Sequence, residues 1–272
     1  MQLSEIIQLS EELLLCVRQA GKLISEIYFS KDQGFKEKQD GTPLTKADLV
    51  AHLFIEKNLL SLAPEIPILS EEGLIHTKKE QKLFWLVDPL DGTKEFINRN
   101  GEFTVNIALI SNFRPILGVV HLPVLDKSYI GIPEHGSFKI SGNKEKKKIK
   151  TSKINQSLCR ITHSRSHLEE KDLLFIKETK EHFKEIKIIP AGSSLKLCMI
   201  AEGKADIYCR FGPTSQWDIA AGHALVEGSG GTLIDTSENK LNYLFNSLRK
   251  NPNFCCLGDI NFPWQNIISR VS

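Results

Sequence analysis

The sequence predicts a layered α/β fold, and three features of its pattern carry this prediction. Apolar residues recur at three- and four-residue steps over residues 3–29, which indicates an amphipathic helix. Short apolar runs follow between residues 66 and 132, and the alternation in several of them is typical of an antiparallel sheet. The rest of the chain alternates strand-like and helix-like segments, which favours a second α/β layer.

The first half of the chain is predicted to combine two helices with five strands. The second helix begins after Thr45, the expected N-cap, with Asp48 three residues later, and it ends before Pro64. The five strand-like runs cover residues 66–70, 83–87, 103–110, 115–122 and 127–132.

A lysine-rich run at 143–150 separates the two halves. No aromatic residue interleaves with its five lysines, so a solvated hairpin or inter-lobe link explains it better than a nucleic-acid surface. We therefore predict an N-terminal α+β lobe at 1–145 and a C-terminal α/β lobe at 146–272, which form one continuous unit. Strands are expected in the second lobe at 158–164, 185–190 and 205–211, and helices at 167–183, 194–203, 217–231 and 261–271.

Composition and charge indicate a soluble, cytoplasmic protein. The net charge of +2 over 272 residues does not favour nucleic acid or a membrane surface as the main partner. Residues 1–21 lack the basic start of a signal peptide, and no apolar run approaches the about 20 residues of a membrane span. The six cysteines include no C-x-x-C motif, so we expect neither a disulfide framework nor a zinc site.

The segment DPLDGTKEF places two carboxylates directly after an apolar strand. Asp88 and Asp91 can converge there, with the carbonyl of Leu90 between them. Hard cations such as Mg²⁺ prefer such oxygen ligands, and the backbone N–H groups of Gly92 and Thr93 can bind a phosphate. The alternative interpretation is a plain turn, because Asp, Pro and Gly are common turn residues.

Two other segments also bring acids to the end of an element. Glu71 and Glu72 follow a strand, and Asp218 opens a helix after Trp217. Alone, the glutamates would be a solvated loop and the aspartate a helix cap. Together with the first segment they could hold two or three Mg²⁺ ions, as two-metal sites for phosphoryl transfer do. The Thr93 hydroxyl, polarised by Asp48, is the candidate for positioning the attacking water.

These motifs resemble the inositol monophosphatase superfamily, whose hallmark is D-P-[IL]-D-G-T with an upstream acidic pair and a downstream W-D. Within it, segments such as WLVDPLDGTKEFINRNGEFTVNIALI and GSSLKLCMIAEGKADIYCRFGPTSQWDIAAGHAL are similar to bacterial 3′(2′),5′-bisphosphate nucleotidases. The resemblance implies an α-β-α-β-α sandwich and a lithium-sensitive, magnesium-dependent phosphatase. Its substrate would be adenosine 3′,5′-bisphosphate, a by-product of sulfur assimilation, and its product AMP. The metal ligands it implies are Glu71, Asp88, the Leu90 carbonyl, Asp91 and Asp218.

The resemblance also implies a set of substrate-binding residues. Besides Gly92 and Thr93, these are Gly192, Ser193, Ser194, Lys196, Arg210 and His167. A bisphosphate needs a cation at its non-reacting phosphate, which Lys196 or Arg210 could supply. Alternatively, Lys196 is a snorkelling side chain and His167 a helix cap.

Three functions remain open at this stage. The first is the nucleotidase, and the second is an inositol phosphatase or fructose-bisphosphatase. The third is a non-catalytic nucleotide sensor, which would have no need of Thr93 and Asp48. The family further implies a possible homodimer and peripheral association with the cytoplasmic face of the inner membrane.

Overall fold

The computed structural model describes residues 1–30, 34, 36–37, 43–73, 81–166, 168–246 and 250–271. Within these residues seven helices alternate with two main sheets. The helices are α1 Leu3–Tyr28, α2 Lys46–Leu62, α3 Thr93–Ile97, α4 Glu170–Lys180, α5 Leu195–Ala201, α6 Gln216–Gly228 and α7 Gln265–Ile268.

The strands form a small hairpin, a seven-stranded sheet and a five-stranded sheet. The hairpin pairs β1 Lys36–Glu37 with β2 Pro43–Leu44. The larger sheet follows chain order: β3 Ile68–Ser70, β4 Leu83–Asp91, β5 Thr104–Ser111, β6 Arg114–Leu122, β7 Lys127–Ile132, β8 Gly136–Ser141 and β9 Lys147–Ile149. The smaller sheet contains β10 Leu158–Ser164, β11 Glu185–Ala191, β12 Ile207–Arg210, β13 Thr232–Asp235 and β14 Phe254–Leu257. Its order is β11-β10-β12-β14-β13.

The helices and sheets stack in five layers. Because side chains alternate along a strand, Ile107 packs with α1 and α2, whereas Ala108 packs with α5 and α6. The opposite side of this middle helical layer lies against the smaller sheet through residues such as Phe254. The far face of the smaller sheet packs on α4 and α7. The α-β-α-β-α sandwich predicted from the family resemblance is confirmed.

Helix α6 lies unusually close to the larger sheet because two strands present glycine to it. A Cβ at Gly118 would come within 2.3 Å of the Ala221 carbonyl oxygen, and one at Gly131 within 2.4 Å of the Leu225 nitrogen. Any other residue at these positions would push the helix away. The start of α6, which carries Asp218, is therefore held at a fixed distance from the sheet.

The strand pattern agrees with the sequence in the first half, with short elements added. The strand predicted over 127–132 has those bounds, and every neighbouring pair in the larger sheet is antiparallel except β3 with β4. Six of the strands in the described residues were not predicted, namely β1, β2, β8, β9, β13 and β14. The lysine-rich run forms a turn and the exposed edge strand β9.

The sequence predicts no disulfide framework, but the structure contains one disulfide that the spacing did not indicate. Cys209 and Cys255 face each other on adjacent antiparallel strands and form a disulfide, although 46 positions separate them in sequence. Spacing alone could not show this pairing, because it depends on the register of β12 with β14. Cys16, Cys159, Cys198 and Cys256 are buried free thiols.

The division near residue 145 remains a prediction. The chain passes from one sheet to the other between Ile149 and Leu158, but α6 from the second half packs on the first sheet. Within the described part of the chain, none of the helices combines the length and apolar character that a membrane span requires.

Candidate active site

One cleft of about 390 Å³ collects the predicted acidic residues from three separate segments. The parallel pairing of β3 with β4 places Glu71 beside the end of β4, where its N–H donates to the Val87 carbonyl at 3.1 Å. Asp88 and Asp91 come from β4 itself, and Asp218 from the first turn of α6. All four carboxylates line the cleft, as does Leu90.

The end of β4 is irregular in a way that turns its polar groups toward the cleft. The pairing with β5 shifts register between Asp88 and Asp91, where Pro89 cannot donate a ladder hydrogen bond. The Asp88 carboxylate accepts the Leu90 N–H at 3.1 Å, which closes the turn. Gly92 follows at φ 89°, a left-handed conformation that favours glycine, and starts α3.

Asp91 is held by one donor from the neighbouring strand β5 and one from the C-terminal half of the chain. Its Oδ2 accepts the Ser194 N–H at 2.7 Å and the Asn106 side-chain amide at 3.3 Å. The hydroxyls of Ser193 and Ser194 contact Thr104 Oγ1 at 2.6 and 2.8 Å. Ser193 and Ser194 therefore line the cleft and also support the carboxylate from behind.

Negative charge accumulates at the carboxylate end of the cleft. Burial raises the pKa of Asp88 well above its ordinary value, and Glu71, Asp91, Asp218 and Asp48 raise it further by repulsion. Burial likewise raises the pKa of Asp218, with contributions from Asp91 and Glu71. Such a set is costly unless a cation or proton neutralises it.

The chemistry of these donors fits Mg²⁺. Every candidate ligand is an oxygen atom, four from carboxylates and one from the Leu90 carbonyl, which is what a hard divalent cation requires. Among the residues that the structure describes, no three acidic, His or Cys side chains are close enough together to surround one ion.

Thr93 and Asp48 are in contact, as the sequence predicts. Thr93 Oγ1 donates to Asp48 Oδ1 at 3.3 Å and lies 3.5 Å from the Leu90 carbonyl. The other oxygen, Asp48 Oδ2, accepts the N–H and hydroxyl of Thr45 at 2.7 and 2.6 Å in the N-terminal cap of α2. Asp48 therefore caps the helix with one oxygen and orients Thr93 with the other.

Two cationic side chains, Lys196 and Arg210, also line the cleft. Lys196 is buried and donates to the Ser193 carbonyl at 2.6 Å, and burial lowers its pKa while Asp91 opposes that shift. Arg210, also buried, lies on β12 with its guanidinium 3.8 Å from Asp172. Tyr208, two residues before Arg210 on the strand, lines the cleft beneath the Lys196 ammonium at 5.3 Å.

Two predicted substrate residues stand apart from this arrangement. Gly192 does not line the cleft; its N–H donates to Glu102 at 2.7 Å, and a Cβ there would lie 2.5 Å from Glu95 Cγ. His167 lies outside the described residues. Sequence reasoning missed Tyr208, although its two-residue spacing from Arg210 on a predicted strand places both on one face.

The chain belongs to the inositol monophosphatase family, whose family model matches residues 3–253. It is 41% identical over 247 residues to the 3′(2′),5′-bisphosphate nucleotidase CysQ of Salmonella typhimurium, covering 90% of this chain and 97% of that relative. It is 44% identical to the protein of the same name from Buchnera aphidicola, with 85% of each chain covered.

Solved structures agree with this assignment. CysQ from Bacteroides thetaiotaomicron superposes with a TM-score of 0.78 at 32% identity, covering 92% of this chain and 97% of that one. An IMPase from Thermotoga maritima superposes with a TM-score of 0.76 at 25% identity, covering 94% of each. The family resemblance inferred from the motifs is confirmed.

Proposed function

We propose that the chain is a Mg²⁺-dependent 3′(2′),5′-bisphosphate nucleotidase that hydrolyses adenosine 3′,5′-bisphosphate to AMP and phosphate. One observation carries the proposal: the same cleft is lined by four carboxylates that can hold a metal and by the cation Arg210. This arrangement suits a substrate with a reacting phosphate and a second phosphate. The similarity to relatives named as nucleotidases of this type supports the same substrate.

The carboxylates Glu71, Asp88, Asp91 and Asp218, with the Leu90 carbonyl, would hold two or three Mg²⁺ ions. When bound, Mg²⁺ supplies positive charge that offsets the developing negative charge of phosphoryl transfer and makes water a better nucleophile.

The chain's own residues position the reactants. Thr93 donates its hydroxyl proton to Asp48, so its oxygen can accept a hydrogen bond from the attacking water and orient it. The backbone N–H groups of Gly92 and Thr93 bind the reacting phosphate. Ser193 and Ser194 line the same cleft.

The two cationic side chains of the cleft, Lys196 and Arg210, have different roles. Lys196 is bonded to the Ser193 carbonyl and attracted by Asp91, so it stabilises the cleft wall near the reacting phosphate. Arg210 is assigned to the second phosphate, which a guanidinium can hold with two hydrogen bonds. His167 remains a predicted contact, and the homodimer and cytoplasmic location remain predictions.

A phosphate-release assay tests the proposal. The substrates are adenosine 3′,5′-bisphosphate, an inositol monophosphate and fructose 1,6-bisphosphate, each with Mg²⁺ and after chelation with EDTA. We expect strong preference for the adenosine bisphosphate, AMP as the second product, inhibition by millimolar Li⁺ and loss of turnover in EDTA. Faster release from either sugar phosphate would favour the rival phosphatases, and binding without release would favour the sensor.

A further inference from the structure

We infer that Asp172 is a positioning residue that orients Arg210 toward the second phosphate, and that Gly212 provides the space for this orientation. The inference rests on the proposed function and extends it to substrate selectivity. Asp172 lies in the first turn of α4, Arg210 at the end of β12, and both side chains are more than nine-tenths buried.

The Asp172 carboxylate is held at the start of its own helix, and the Phe211 backbone N–H also faces it. Its Oδ2 accepts the Glu169 N–H at 2.8 Å, which closes the N-terminal turn of α4, and the same oxygen lies 3.8 Å from Arg210 Nη1. Its Oδ1 is buried without a hydrogen-bond partner among the described residues. A buried carboxylate oxygen without a donor costs free energy, and the neighbouring guanidinium charge offsets part of that cost.

Gly212 leaves room for the guanidinium. A Cβ at this position would lie 2.8 Å from Arg210 Nη2 and 3.0 Å from Arg210 Cζ, closer than real contacts allow. The backbone at Gly212 is not left-handed, so its own conformation would accept alanine. The absence of a side chain is therefore required by the position of Arg210.

Arg210 can hold Asp172 and a ligand at the same time. A guanidinium carries five N–H donors, more than one carboxylate oxygen can accept, and Arg210 lines the cleft. Tyr208 lies on the same strand face as Arg210, and its ring lies 5.3 Å from the Lys196 ammonium. Lys196 is engaged by the Ser193 carbonyl and attracted by Asp91, which leaves Arg210 as the cation for the non-reacting phosphate.

The test compares two substrates that share the reacting phosphate and differ in the second. These are adenosine 3′,5′-bisphosphate and adenosine 3′-monophosphate, assayed with Mg²⁺ on the parent, Asp172→Asn and Gly212→Ala. We expect the KM for the bisphosphate to rise about tenfold or more in both variants, as for a misplaced charge-assisted hydrogen bond. In both variants the kcat for the bisphosphate, and the kcat and KM for the monophosphate, should stay within about twofold of the parental values.

Asp126→Asn is the matched control. Asp126 is an exposed aspartate that does not line the cleft, and its carboxylate lies 3.5 Å from the Arg18 guanidinium. It should leave both substrates unchanged. An unchanged KM for the bisphosphate in both variants would overturn the inference, and so would an equal loss for both substrates, which indicates a purely structural role. If Asp172→Asn does not fold, Gly212→Ala alone decides. A parent that hydrolyses neither substrate would instead refute the proposed function.

Discussion

Asp88 and Asp206 are both buried aspartates, yet their surroundings are opposite in charge. The Asp206 carboxylate accepts the Arg160 backbone N–H at 2.8 Å, the Arg160 guanidinium at 2.5 and 3.0 Å, and the Ser152 hydroxyl at 2.6 Å. Asp88 accepts one backbone N–H at 3.1 Å and otherwise lies among carboxylates. The charge of Asp206 is thus neutralised by Arg160, whereas Asp88 has no cationic partner among these contacts and lies in the cleft proposed to bind a cation.

The two environments predict that Asp88 serves catalysis and that Asp206 serves the stability of the fold. A satisfied buried carboxylate stabilises the fold because its donors are already in place. A buried carboxylate among like charges destabilises the empty fold and gains its favourable partner only with a ligand. Functional sites are regions where such unfavourable arrangements are retained.

The largest expected effect is on turnover. Asp88→Asn should lower kcat for adenosine 3′,5′-bisphosphate by at least about a thousandfold, because a lost metal ligand removes several kcal/mol of charge stabilisation. Circular dichroism should show an intact fold. Phosphate release at the parental rate would refute the assignment of Asp88 as a ligand.

The next effect is on stability. Asp206→Ala should lower the free energy of unfolding by about 3 kcal/mol, the lower part of the range for breaking a buried pair. The lower part applies because the Arg160 side chain is 26% exposed. Urea denaturation measures the change, and Asp126→Ala, whose aspartate is 59% exposed, should stay within about 0.5 kcal/mol of the parent. An equal loss of unfolding free energy in the two variants would show that the buried Asp206 stabilises the fold no more than an exposed aspartate does.

Thr93 should show a smaller effect on turnover than Asp88. Thr93→Val keeps the shape but removes the hydroxyl that bonds Asp48, so kcat should fall by about a hundredfold. Thr93→Ser keeps the hydroxyl and should retain most of the parental kcat. If valine and serine at this position gave the same rate, the hydroxyl would have no part in positioning water.

The smallest effect has the opposite sign. Because the pKa of Asp88 is raised in the folded protein, the fold holds more protons than the unfolded chain between the ordinary and the raised value. Metal-free stability should therefore fall as pH rises through that window. Asp88→Asn should flatten the fall and stabilise the metal-free protein near neutral pH by on the order of 1 kcal/mol.

Thermal unfolding in EDTA across pH checks this, with Asp206→Asn as the control that should destabilise instead. Added Mg²⁺ should raise the melting temperature of the parent more than that of Asp88→Asn, since ligands that bind the folded state stabilise it. A metal-free Asp88→Asn protein that is less stable than the parent would contradict the proposed repulsion.

Local patterns predicted most of the framework and the centre of the site. The period of α1, the cap of α2 by Thr45 and Asp48, and the carboxylates after β4 all depend on neighbours in sequence. Strands β13 and β14 are only four residues each, so pairing rather than pattern makes them strands. The contact of Asp172 with Arg210 could not be predicted for a similar reason, because it depends on how α4 packs against β12 and not on neighbours in sequence.

Two glycines that face α6 make the position of a site residue depend on backbone contacts outside the cleft. At Gly118 and Gly131 the sheet meets the helix without an intervening side chain. A single methyl group there would wedge the two layers apart, and Asp218 would travel with the helix. We therefore expect the affinity of the proposed cation site to depend on the spacing between the larger sheet and α6 as well as on its acidic residues.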